Sequence, residues 1–123
     1  MADPDEVAKA FVGHFYMVFD TNRPALTSLF QEHSMMTFEG NKLQGPAAIV
    51  GKLTSLSFQK CQHTAKTIDA QPTFNGGILV FVSGDIAIEG EDRPLKFSEV
   101  FHLCPTPEGS YFVYNNMFRL NYG

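Results

Sequence analysis

The feature that most constrains the fold is a change of hydrophobic period partway along the chain. Up to Leu56 the apolar residues recur at helical spacing, and beyond it they alternate as in strands. Asp3 is a capping residue, Pro4 fits the first helical position, and Glu6 completes a capping-box spacing. Val7, Phe11, Phe15, Val18 and Phe19 then form one apolar face, which Asp20-Thr21-Asn22 ends. Pro24 starts a short second helix with Leu26, Leu29 and Phe30 on its inner side. Gly45-Pro46 opens a third helix, expected to run through Leu56 with Ile49, Val50, Leu53 and Leu56 apolar. Between the second and third helices lie a short strand over 34–38 and a turn at Glu39-Gly40-Asn41.

The remainder reads as strands over 59–71, 78–88, 95–104 and 111–120. Asn75-Gly76-Gly77 is a hairpin turn signal, and Gly84 marks a bend or bulge inside its strand. Simple alternation puts Cys61, His63, Ala65, Thr67 and Asp69 on one face of the first of these strands, and Gln62, Thr64, Lys66 and Ile68 on the other. Helices segregated from antiparallel strands imply an α+β fold, with three N-terminal helices laid across one face of a bent, mostly antiparallel sheet. Such helices leave part of a long sheet uncovered, which makes room for a concavity at one end. No repeat, low-complexity tract or linker divides the chain, so residues 1–123 are read as a single domain. In the last strand both Tyr111/Val113/Met117 and Phe112/Tyr114/Phe118 are largely apolar. Two apolar faces need two coverings. The helices supply one, and a second copy of the chain is expected to supply the other as a face-to-face homodimer.

The net charge of −4 carries no basic footprint, which argues against nucleic acid and anionic membranes as partners. No apolar run approaches the ~18 residues of a membrane span, and the start Met1-Ala2-Asp3-Pro4-Asp5-Glu6 does not read as a signal peptide. Cys61 and Cys104 read as free, buried thiols of a reducing compartment. Twelve Phe and four Tyr with no Trp are more than a core this small requires. Each buried Phe contributes roughly 1.5–3 kcal/mol, and the surplus is available to line a pocket.

Met36-Thr37-Phe38-Glu39-Gly40 is the main candidate site, because a large aromatic and a carboxylate are presented together where a strand turns. The ordinary interpretation is a core Phe beside a solvated Glu. The functional one is a pocket rim suited either to acid–base chemistry or to capture of a basic, apolar partner. Glu89, Glu91 and Asp92, with only Arg93 nearby, form a second acidic element. It reads as a charged loop that blunts a sheet edge or as a cluster that pairs with a partner's Lys and Arg. His63 is the candidate general base, against a structural, hydrogen-bonded histidine as the alternative. His14, His33 and His102 show no metal-ligand spacing, so no metal is expected. G-x-S-x-G, the P-loop and G-x-G-x-x-G are absent, so neither a nucleophile elbow nor a cofactor is expected. Asp85 and Asp69 are the remaining acids that a cavity could bury.

Several blocks together resemble the nuclear transport factor 2 family, nearly end to end. They are Phe38-Glu39-Gly40, Gln44-Gly45 with Ala47-Ala48-Ile49-Val50, Lys52-Leu53, Ser55-Leu56, Phe58-Gln59-Lys60, Gln62-His63, Gln71-Pro72-Thr73, and Asn115 with Met117-Phe118-Arg119-Leu120. The resemblance implies a homodimer of cone-like domains, each enclosing an apolar cavity. It implies a carrier, not an enzyme, that binds the GDP form of the GTPase Ran and weakly contacts Phe-Gly nucleoporins. Such a carrier moves between cytoplasm and nucleus and concentrates at nuclear pores. In the same terms Glu39 matches a rim acid that binds Ran, and Phe38 stands where the family often has Trp. Glu89 and Glu91 match two acids of a loop, with Asp92 able to replace Glu91 because the loop has an extra residue. His63 matches a histidine near the Ran-facing rim, and Met117 a dimer-interface position. Where some members use an N-terminal Trp for the nucleoporin groove, Pro4 stands here, and the resemblance locates no groove. The rival reading is a small-molecule isomerase or dehydratase of the same fold, with His63, Asp85 or Asp69 facing a ligand. A carboxylate–His pair deep in the cavity would favour it. An apolar cavity with acids only at the mouth would favour the carrier.

Overall fold

The computed structural model describes residues 3–56 and 60–121. Helix α1 spans Pro4–Thr21, and the Asp5 N–H donates to its cap, Asp3 Oδ1, at 3.0 Å. The expected second helix is a 3-10 helix, Arg23–Leu29, and Phe30 begins the next strand instead of ending that helix. Strand β1 spans Phe30–Phe38, four residues longer at its start than expected, and it pairs with β2, Asn41–Gln44, which the hydrophobic pattern does not announce. Helix α2 spans Pro46–Thr54 and stops short of Leu56. Then come β3 Cys61–Pro72, a 3-10 turn Phe74–Gly76 in the expected hairpin, β4 Ile78–Ile88, β5 Leu95–Pro105 and β6 Tyr111–Asn121. The expected strand start at Gln59, and the Phe58-Gln59 block, lie outside the described residues.

The six strands form one sheet in the order β2-β1-β6-β5-β4-β3. Among the described residues only the β1–β6 pair is parallel. The sheet curls into an open cone around the helices, as the α+β reading anticipated. Helix α1 crosses the concave face, where Phe15 meets Phe101 edge-on with ring centroids 4.9 Å apart and Tyr16 meets Phe97 at 5.8 Å. Leu26, Ile49 and Leu53 are fully buried, so the 3-10 helix and α2 close the same core.

Two one-residue bulges, of the kind that bends a strand, reassign the sheet's faces. In β3 the pairing steps from Ala65↔Gly84 to Thr67↔Ser83, leaving Lys66 as the extra residue. A Cβ placed on Gly84 would lie 2.0 Å from the Thr64 carbonyl oxygen, so the bulge needs a glycine opposite it. Simple alternation therefore fails beyond Ala65. Ile68 and Ala70 pack on the core, while Thr67 and Asp69 are exposed. In β6 the pairing steps from His102↔Asn115 to Leu103↔Val113, and Tyr114 is extra. Val113 and Phe118 consequently share the inner face, and Met117 does not face the same way as Val113. Met117, Tyr114, Met35, Leu79 and Phe81 remain 40–51 % exposed. Met35, Leu79 and Met117 line a broad groove of about 400 Å³ with Val100 and Thr37. No helix among the described residues is long and apolar enough to cross a membrane.

Candidate functional site

A small cavity opens at one end of the cone, lined by Phe19 of α1, Phe38 of β1, Ile86 and Ile88 of β4, and Phe118 and Leu120 of β6. Every lining residue is apolar. Its volume of about 70 Å³ is several times the ~10–15 Å³ one water needs, a space on the scale of one aromatic ring. The wall is preorganised. Phe38 stacks on Phe118 at 5.0 Å and 7°, and Phe118 stacks in turn on fully buried Phe97 at 5.6 Å.

Two acids each follow a lining residue along the chain. Glu39 comes directly after Phe38, and Glu89 directly after Ile88. Phe38 pairs with Asn41 across a two-residue turn in which Glu39 and Gly40 have φ of 51° and 87°. This is the geometry of a type I′ hairpin turn, and its first position strains a residue with a side chain. Glu39 is held there from both ends. Its N–H donates to the Phe118 carbonyl at 3.1 Å, and its carboxylate accepts from the Leu120 N–H. The Glu89 carboxylate accepts from the Lys60 N–H at 3.0 Å, tying the acidic loop to the start of β3. Glu91 and Asp92 are exposed in the turn that follows, which the Glu91 N–H closes onto the Ile88 carbonyl at 3.1 Å.

His63 lies elsewhere. Its side chain is 2 % exposed, so the ring is not a rim group available to a partner. It stacks on Tyr16 at 4.2 Å and 4°, and meets Phe19 edge-on at 4.8 Å. It thus sits behind the cavity wall, because the odd residues at the start of β3 face α1. Nδ1 donates to Asp20 Oδ1 at 2.8 Å, and the His63 backbone N–H donates to Asp20 Oδ2, also at 2.8 Å. Burial opposes ionisation of Asp20, but these His63 contacts and the Cys61 thiol outweigh it and hold the carboxyl below its usual range. Burial, with Asp20 beside it, pushes the Cys61 thiol up to about 12. A carboxylate–His pair therefore exists, but the Phe19 ring separates it from the cavity. Of the other two catalytic candidates, Asp85 is paired with Lys66 at 3.8 Å and Asp69 is exposed. Neither lines the cavity.

The buried acid is one the sequence reading passed over. Glu99 is 4 % exposed and accepts from the Tyr16 hydroxyl at 2.7 Å and from Asn116 Nδ2 at 3.0 Å. Burial pushes its carboxyl above the usual range, and the charge of His63 and these two donors only partly offset the effect. Burial and the neighbouring Glu99 likewise hold the proton on Tyr16. The signal was present in the strand, since Phe97, Glu99, Phe101 and Leu103 alternate onto one face.

The chain matches the family model described as the Nuclear transport factor 2 (NTF2) domain over residues 7–120. It is 59 % identical to Nuclear transport factor 2B of Arabidopsis thaliana over 121 residues, covering 98 % of this chain and 96 % of that protein. It is 57 % identical to Nuclear transport factor 2 of Oryza sativa subsp. japonica over 122 residues, covering 98 % and 99 %. Among solved structures, nuclear transport factor 2 from Cryptosporidium parvum superposes with a TM-score of 0.91 at 47 % identity, covering 96 % of this chain and 94 % of that one. With residues 7–120 matched from α1 through β6, and with this identity across almost its whole length, the chain belongs to the nuclear transport factor 2 family.

Proposed function

We propose that this protein is a nuclear transport carrier that captures Ran in its GDP form, and that it is not an enzyme. The observation that carries this reading is the wholly apolar, ring-sized cavity with an acid following two of its lining residues. Such a site has nothing with which to move a proton or hold a reacting atom. It suits an inserted aromatic side chain surrounded by basic groups. The buried ring supplies affinity, and Glu39, Glu89, Glu91 and Asp92 steer the encounter and fix its orientation. Phe38 acts as wall. His63 acts from behind Phe19, on the shape of the cavity, without touching the partner.

Discrimination between GDP and GTP would reside in Ran, whose switch segments depend on the γ-phosphate, so no nucleotide site is needed in this chain. The exposed apolar outer face around Met117 and Met35 supports a homodimer. Transit would use weak contacts with Phe-Gly nucleoporins at the pore, between cytoplasm and nucleus. The test is calorimetry of the purified protein against Ran loaded with either nucleotide. Binding of the GDP form only, weakening as salt is added, is expected. Equal binding of both forms, or of neither, would sink the proposal.

A further inference from the structure

Behind Phe19, away from the cavity, three donor atoms of different chemistry converge. Asp20 lies in the last turn of α1, and Cys61 and His63 are alternate residues at the start of β3, on one face of the strand. Their ligand atoms lie within 4.8 Å of one another. We propose that Asp20, Cys61 and His63 bind one divalent ion of the zinc class, joining the end of α1 to β3.

The Cys61 thiol and His63 Nδ1 both donate to the same oxygen, Asp20 Oδ1, at 3.3 and 2.8 Å. Two hydrogens thus point into the space that a metal ion would take. Zinc at ~2.0–2.3 Å from O, N and S ligands in a tetrahedral site separates those ligands by about 3.5 Å, so Asp20 Oδ1 needs to open only slightly from each of the other two, whose mutual separation is within 4.8 Å. Carboxylate, imidazole and thiolate together suit zinc or cobalt rather than calcium or magnesium.

The outer shell is already in place. Asp20 Oδ2 is pinned by the His63 backbone N–H, which leaves Oδ1 aimed between Cys61 and His63. Arg23 is turned by the Phe19 and Leu53 carbonyls, at 3.3 and 3.1 Å, and its Nη2 lies 3.6 Å from Cys61 Sγ. An N–H donated to a metal-bound thiolate is the outer-shell contact such ligands take. A divalent ion with Asp20 and the Cys61 thiolate is locally neutral, so the guanidinium does not exclude it. Asp20 and Arg23 also line a surface depression of about 250 Å³ with Asn22 and Thr54, an entry for the ion and a water as fourth ligand. Without an ion, the same side chains form a hydrogen-bonded tie between helix and sheet. The two states differ in a way spectroscopy reads directly.

The test is titration of the intact, metal-free protein with cobalt(II). One equivalent per chain should produce a thiolate-to-cobalt charge-transfer band, and zinc should abolish it by displacement. Cys61→Ser should lose the band and bind zinc at least about tenfold more weakly by calorimetry, with an unchanged far-ultraviolet spectrum confirming its fold. Cys104→Ser should keep the band. No band with the wild-type protein at excess cobalt, or a band that survives Cys61→Ser, overturns the site.

Discussion

Replacing Glu39 separates its two jobs, because each job uses a different property of the carboxylate. As a structural group, it accepts the Leu120 N–H and anchors a residue at φ 51°. As the binding group proposed above, it would offer negative charge next to Phe38 of the cavity wall. Glu39→Gln keeps an oxygen acceptor and removes the charge. Glu39→Ala removes both. A hydrogen bond to a charged group contributes about 1.5–3 kcal/mol when well buried. Glu39 is only half-buried, so about 1–2 kcal/mol is the expected loss for Ala. At roughly 4 °C per kcal/mol for a domain of this size, Glu39→Ala should melt about 4–8 °C lower, and Glu39→Gln within about 2 °C of wild type. An exposed ion pair is worth at most about 1 kcal/mol, or about fivefold in affinity. Glu39→Gln should therefore bind Ran-GDP about three- to fivefold more weakly at low salt, mostly through a slower association rate. The difference should vanish at high salt. Glu39→Lys should be worse on both counts. Scanning calorimetry supplies the melting points, and binding kinetics across a salt series supply the rest. If Glu39→Gln matches wild type in affinity and salt slope, the carboxylate is purely a turn anchor and the capture role assigned to it is wrong.

The buried Glu99 makes a pH prediction. Its folded pKa is raised, so below the unfolded value near 4.5 it is protonated in both states. As pH rises, the unfolded chain loses that proton first, and stability falls until the folded carboxyl also ionises. Glu99→Gln should flatten this decline in denaturant titrations; an equally steep decline in the variant would assign it to other groups. Gly84→Ala should push β3 off β4, because its Cβ would meet the Thr64 oxygen at 2.0 Å, and a melting point within about 2 °C of wild type would refute that close approach. Met117→Asp puts a charge at the centre of the exposed outer face and should turn a dimer into a monomer in sedimentation. A variant that stays dimeric would place the interface elsewhere.

Helix α1 was legible because a helix buries a stripe of its own residues, and Phe11, Phe15 and Phe19 lie one turn apart. The strands β4 and β5 were legible from alternation, which also contained the unread position of Glu99. Strand β2 was not legible. Its four residues have only Leu43 half-buried, and their extended form comes from pairing with β1. The bulges at Lys66 and Tyr114 were likewise hidden. An extra residue is defined by what the neighbouring strand lacks, and each bulge reversed the faces expected beyond it, at Thr67 and Asp69 and again at Met117.

The candidate site divides along the same line. The sequence by itself determined the α+β class, the segregation of helices from strands, and the two acidic turns, all of which depend on residues near one another along the chain. The family, too, is written in the order and spacing of the blocks. Only the tertiary structure decided that Phe38 and Phe118 stack into one wall, that Glu39 is tethered to Leu120, and that His63 lies behind Phe19 with Asp20. It alone brought Cys61 and Asp20 together, 41 residues apart. These pairings depend on how far the sheet curls. That curl depends on pairings and register shifts between strands, which no pattern read along a single strand contains.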